Sequence, residues 1–239
     1  MRSDSRSDRG RRSGRPLFVL SLAVIASVAL LAVRPSLALS FEGGKQIIDN
    51  ARVTVWDVIW SGGGHGGAEP LAHDTVTVAL TDGPAQIVDI TANEKTVTRQ
   101  IGEVQYEVRG EGHRVDSVGA SVPHDIVIEL KDAKVAPLAN TTKYPNAFPR
   151  PGSKKVLENA RIVVWDYTWT PGVPTPMHFH DKDVVVTYLE TGELASTSPD
   201  GQVQNNPHYF GFTKFNTRDR SHTETLVKGQ GRAIIVELK

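Results

Sequence analysis

The chain has 239 residues, 39% of them hydrophobic, with 27 basic and 27 acidic side chains and no cysteine. That length holds one or two domains, and the lack of cysteine excludes disulfides and thiolate metal sites, leaving His, Asp and Glu as metal donors. The charge is uneven: residues 1–38 carry seven arginines and two aspartates, so the remainder has a net charge of −5 and no basic stripe, which argues against a nucleic-acid partner.

The N-terminus accounts for that asymmetry. An Arg-rich start is followed by 17 uncharged residues, Leu17 to Val33, and then by RPSLALS. Ser36 and Ala38 are small residues at the positions a signal peptidase reads, so residues 1–38 are expected to be an export signal cleaved after Ala38. The alternative is an uncleaved anchor, for which 17 apolar residues is at the short limit. Arg11-Arg12 fits a twin-arginine route, except that Gly14 and Arg15 stand where that signal usually has apolar residues. The expectation is a periplasmic or secreted protein, with no membrane contact beyond the signal and a fold starting near Leu39.

The rest of the chain is a duplication. NARVTVWDVIW (50–60) and NARIVVWDYTW (159–169) share seven of eleven positions at an offset of 109, and IVIELK (126–131) matches IIVELK (234–239) at an offset of 108. Agreement at both ends divides the chain into an N-terminal copy, 39–135, and a C-terminal copy, 153–239, joined by a linker at 136–152 rich in Pro, Asn and Lys. Within a copy the apolar period is 2. Val53, Val55 and Asp57 share one face and Thr54, Trp56, Val58 and Trp60 the other; TVTVAL (75–80) and VVVTYLE (184–190) follow the same rule. Short strands between Gly/Pro loops make the protein all-β, a sandwich or small barrel in each copy. The tryptophans at equivalent positions are expected to be core anchors.

Between two strands of the second copy lies PGVPTPMHFHDKD. His178 and His180 are one residue apart, and in extended chain such side chains point to the same face. Both imidazoles can then face one point, and two imidazoles are half of a metal site.

Gly172, five residues and His178-Phe179-His180 resemble the first motif of the cupin superfamily. Gly201 and Pro207 have the spacing of its second motif, and His222, before the closing strand, matches its later histidine. The resemblance covers both copies and implies a bicupin, two tandem jelly-roll barrels, with the metal motif in the second. It implies one divalent transition metal ion (Fe, Mn, Ni, Cu or Zn) on His178, His180 and His222. Cupins usually add a Glu after the pair, with three or four residues between, where this chain has Val184 and Val185; Asp183 is the nearest acid and the candidate fourth ligand, and Glu224 neighbours His222. His208 is an alternative third histidine. In the first copy Glu69 and Leu71 align with the His pair, and His113 matches His222 without partners, so that copy is expected to be metal-free.

Tyr188 and Phe212 are candidate substrate-binding residues, and Arg220, with Arg218 beside it, could grip an anionic substrate. Three histidines leave coordination positions open, as a catalytic metal requires. The resemblance therefore implies an oxygenase, decarboxylase or isomerase type of enzyme on a small oxygenated organic molecule, the fold itself not choosing among them. The alternative is a non-catalytic periplasmic protein that binds a small molecule. Cupins also often pair, which makes a homodimer an expected partner state.

Overall fold

The computed structural model describes residues 44–60 and 68–239; the export signal, the start of the fold at Leu39 and His65 lie outside the described residues. The Val/Ile/Thr alternation gives strands throughout, and among the described residues there is no helix. The first copy forms β1 (Gly44–Asp49), β2 (Val53–Ile59), β3 (Asp74–Ala79), β4 (Gly83–Asp89), β5 (Glu94–Arg99), β6 (Val104–Glu107), β7 (His113–Ser117) and β8 (His124–Leu130). The second forms β9 (Ser153–Glu158), β10 (Ile162–Thr168), β11 (His178–His180), β12 (Asp183–Tyr188), β13 (Gly192–Thr197), β14 (Val203–His208), β15 (Thr213–Asn216), β16 (Arg220–Gly229) and β17 (Arg232–Leu238).

The two copies repeat one strand order. Sheets β1-β2-β8-β3-β6 and β5-β4-β7 correspond to β9-β10-β17-β12-β15 and β14-β13-β16. The register repeats as well: Trp56 faces Val127 across β2 and β8, and Trp165 faces Ile235 across β10 and β17. β11 is the addition. It extends the smaller sheet of the second copy beside β16, with no counterpart strand among the described residues of the first. Each copy is an antiparallel double-sheet jelly roll.

β2 and β10 are buried on both faces, which explains their near-continuous hydrophobic sequence. On one face Val53 and Val55 meet Ile162 and Val164 in a single core that also takes Ile128 from β8 and Val236 from β17. On the other face Trp56 and Val58, and in the second copy Trp165 and Tyr167, fill their own barrel. Fully burying a Val or Ile is worth roughly 1.5–3 kcal/mol, so the shared core makes the two barrels one cooperative unit. The indole N–H groups are satisfied in the same way in both copies. Trp56 Nε1 donates to Glu129 and Trp165 Nε1 to Glu237, each at 2.8 Å.

Reciprocal ion pairs fasten the seam. Arg52 donates to Asp183 at 3.0 Å and to the Lys239 carbonyl at 3.1 Å. Arg161 donates to Asp74 at 2.7 Å and to the Leu130 and Lys131 carbonyls at 3.0 and 2.9 Å. The two arginines and the two aspartates are equivalent positions of the repeat, so the seam has the self-complementary pattern of an isologous interface.

The segment between the copies is more than a connector. Ala147 N–H donates to the Phe179 carbonyl and Phe179 N–H to the Pro145 carbonyl, both at 2.8 Å, which lays residues 145–147 along β11. Ala147 and Phe148 are buried in the core of the second barrel.

Candidate metal centre

The lead-in to β11 is fixed before the histidines arrive. Gly172 has φ 70°, a left-handed conformation that glycine adopts without steric cost. Thr175 N–H then donates to the Glu224 carbonyl and Glu224 N–H to the Thr175 hydroxyl, both at 2.8 Å. β11 is thus held by β16 on one side and by residues 145–147 on the other. Gly201, at φ 86°, turns β13 into β14, and Pro207 is tolerated because β14 is an edge strand.

Antiparallel pairing of β11 with β16 sets His178 directly opposite His222. The three ring centroids lie 4.8–5.0 Å apart. One nitrogen of each of His178, His180 and His222 falls within 4.8 Å of the others, and all three residues are buried. Among the described residues this is the one group of His, Cys, Asp or Glu placed to hold a metal ion.

The electrostatics keep the His178 and His180 rings neutral. Burial, reinforced by the Arg150 charge, pushes His178 down to about 3. Burial and then the Arg220 charge hold His180 well below the usual histidine range. Neutral imidazole is the ligating form. His178 Nδ1 lies 2.8 Å from the Pro176 carbonyl, a contact that assigns its proton to Nδ1 and leaves the Nε2 lone pair facing Arg150 Nη1 at 2.7 Å. Neither nitrogen of His180 has a hydrogen-bond partner, although both are buried. Leaving such groups unsatisfied costs about 1–3 kcal/mol each, and a bound ion would satisfy one of them. The donor set therefore fits a divalent transition metal.

One carboxylate faces the histidines, and it comes from β16. Glu224 lies two residues beyond His222, so both point to the same face. It accepts from Arg150 Nη2 at 3.0 Å and from Trp169 Nε1 at 3.2 Å, while its other oxygen lies 3.5 Å from His222 Nε2. Burial pushes its pKa up, but the His222 contact and the Arg150 charge outweigh that, and Glu224 is held well below the usual carboxylate range. Arg150 itself rests on the Tyr167 and Phe148 rings, 4.2 and 4.7 Å from their centroids. Such contacts hold a desolvated guanidinium in place.

His180, His222, Arg150 and Glu224 open onto a cavity of about 370 Å³. Val184, Val186, Tyr188 and Ile235 form an apolar wall, and Arg220 and Lys214 add two further cations. Arg220 Nη1 donates to His222 Nδ1 at 3.1 Å.

Four candidates stand elsewhere. Asp183 lies outside the histidine group: its carboxylate is engaged by Arg52 and by the Arg218 N–H, at 3.0 and 2.8 Å. It serves the seam, as Asp74 does in the first copy. His208 stacks on Tyr188, with centroids 4.1 Å apart, and is likewise outside the group. Phe212 packs behind Tyr188 in the core, at 6.1 Å, and does not line the cavity. Arg218 donates to the Ala136 carbonyl at 2.6 Å, facing the connecting segment. Tyr188 and Arg220 do line the cavity. Arg150 and Lys214 were not evident from sequence: Arg150 lies in the connecting segment, where no spacing ties it to the histidines, and Lys214 is a single basic residue on a short strand. In the first copy His113 does occupy the position of His222, since the pairing of β4 with β7 matches that of β13 with β16, but it faces Glu107 at 2.7 Å.

The described residues thus form two tandem double-sheet jelly rolls, the second with a buried histidine triad that could hold a metal ion. In fold the chain is similar to solved cupin proteins. A cupin 2 conserved barrel domain protein from Leptotrichia buccalis is similar at 16% identity and a TM-score of 0.53, over 82% of this chain and 88% of that one. The oxalate decarboxylase of Bacillus subtilis, a protein with Mn(II) centres, is similar at 9% identity and 0.54, over 84% and 76%. AerE from Microcystis aeruginosa is similar at 10% identity and 0.54, over 82% and 96%. No protein-family model and no curated protein matches the sequence.

Proposed function

We propose that this protein is an exported, metal-dependent cupin enzyme of the oxygenase, decarboxylase or isomerase type, acting on a small oxygenated organic molecule. The observation that carries the reading is the triad itself: three buried imidazoles converge beside a cavity, and His180 has no other partner for either nitrogen among the described residues. His178, His180 and His222 would hold one divalent transition metal, which supplies Lewis acidity and, if redox-active, electron transfer to a bound oxygenated substrate. The similarity to an oxalate decarboxylase with Mn(II) centres supports Mn among the candidate ions. Export is supported by the Arg-rich start and the apolar run Leu17–Val33.

The chain's own residues divide the work. Arg150 donates to His178 Nε2, and that nitrogen has one lone pair. Metal ligation through it frees an Arg150 N–H for a substrate oxygen, while the second guanidinium nitrogen keeps its bond to Glu224. Glu224, anionic and pinned by Arg150 and Trp169, is placed to take a proton from a substrate or water beside His222. Val184, Val186 and Ile235 exclude water from the far wall.

The test combines metal analysis with turnover. The purified protein is expected to carry about one metal per chain and to oxidise, decarboxylate or isomerise at least one small organic acid from a panel. A metal-loaded sample inert across the panel would favour the second reading, a non-catalytic binding protein. Absence of metal after incubation with each candidate ion would sink the metal-dependent reading.

A further inference from the structure

The cavity is more positive than a metal site alone requires. Among its lining side chains, Arg150, Lys214 and Arg220 are basic and Glu224 is the one acid, so two positive charges remain uncompensated by the protein. The three cations are not equivalent. Arg150 is committed to Glu224, and Arg220 to His222 and the Thr217 carbonyl. The Lys214 ammonium makes no hydrogen bond or ion pair among the described residues. It lies over the Tyr188 ring at 5.6 Å and is half-buried, and that burial pushes its pKa down. A buried ammonium without an anion is costly, and desolvation strengthens any anion bound against it.

The topology separates these charges. Arg220 and the histidines belong to β11 and β16 of the four-stranded sheet, whereas Lys214 rises from β15 of the five-stranded sheet. Both sheets face the one cavity, with Val184 and Val186 between. We propose that the ligand is a small organic dianion spanning the barrel, one carboxylate at the triad with Arg150 and Arg220, the other on Lys214, its hydrocarbon body against the valines. This rests on the proposed site and specifies its substrate class. A cavity of about 370 Å³ is near the lower end for small-molecule sites and suits a dicarboxylate of a few carbons.

Calorimetric titration of the metal-loaded full-length chain with succinate, butyrate and oxalate tests it, with metal content measured on each sample. Succinate is expected to bind at least about tenfold more tightly than butyrate, the equivalent of one added charge contact. Lys214→Met is expected to bring that ratio close to one with metal content unchanged, and Lys214→Arg to restore it. Equal binding of succinate and butyrate would overturn the proposal, as would an unchanged ratio in Lys214→Met. No succinate binding at about 10 mM would overturn it too. Oxalate binding more tightly than succinate would place both carboxylates on the triad side and also overturn it. Each of these outcomes leaves the metal measurement intact, so failure here is distinct from failure of the metal site.

Discussion

The two barrels share a frame and differ in what they place inside it. Both keep the Arg–Asp seam pair, the Trp–Glu pair and a salt link between β2 and β8 or β10 and β17: Asp57 with His124, Asp166 with Arg232. Among the described residues the second barrel alone has β11, and with it the histidine pair. In the first barrel, Trp60 Nε1 donates to Asp125 at 2.6 Å, and Arg99 pairs with the same buried carboxylate. A polar cluster thus lies beside β8, where the second barrel has Ala233 at the position of Asp125. Residues common to both copies support the frame, and residues peculiar to the second build the site. The duplication is an internal control.

The sharpest way to break that comparison is to exchange roles. His178→Ala or His222→Ala is expected to weaken metal binding more than about 100-fold, a loss larger than that from changing a residue that only orients a ligand. His113→Ala, at the matching position, is expected to leave metal content unchanged. Metal loss in His113→Ala, measured by plasma mass spectrometry, would mean that the two barrels are not divided as described.

Next in size are the frame pairs. Trp56→Phe and Trp165→Phe each leave a buried carboxylate short of its donor, at a cost of about 1–3 kcal/mol. Their costs in urea unfolding should agree, since the two bonds have the same length and register. A cost confined to Trp165 would show that this position belongs to the site.

Asp183→Asn sharpens the comparison further. It is expected to destabilise the fold by about 1–2 kcal/mol, as loss of a charged hydrogen bond does, and to leave metal affinity unchanged. The same should hold for Asp74→Asn. A drop in metal affinity in Asp183→Asn alone would return that residue to the ligand set.

The smallest effect is a pH dependence. Asp74 is pushed up by partial burial, but the Arg109 N–H, Arg161 and Tyr106 outweigh that and hold it at about 2. Its folded pKa is below its unfolded value near 3.8. Its stabilisation is therefore present above pH 3.8 and lost as pH falls towards 2. Screening at the partly open Arg161 limits this to about 1 kcal/mol. Asp74→Asn should flatten acid unfolding in that window relative to the parent.

Much of this was legible in the sequence. The repeat offset fixed the two barrels, and Gly172 with His178, His180 and His222 marked the site, because alternation in a strand and turn chemistry at glycine are local. Arg150 was hidden because its approach depends on the connecting segment doubling back along β11, a long-range pairing with no periodic signature. Asp183 stands apart from the triad, on Arg52, because proximity in sequence to the His pair is not proximity in space. The repeat points the same way: Arg52 and Arg161, and Asp74 and Asp183, recur at the offset of 109, and the first copy keeps its aspartate although it lacks the histidine pair. Phe212 and Lys214, two residues apart, show a finer limit. Which of them faces the cavity is set by the turn entering β15, and the turn's geometry is not written in the alternation.

The core shared by Val53, Val55, Ile162 and Val164 carries an energetic consequence. A ligand that binds only the native state raises the stability of everything that unfolds with it, by an amount set by its concentration relative to Kd. With that core in common the barrels are expected to unfold together, so that an ion held in the second is felt by β2 and β8 of the first. Amide hydrogen exchange there should slow on metal addition to the same degree as in β10 and β17, so that the barrel without the triad reports how full its neighbour's site is.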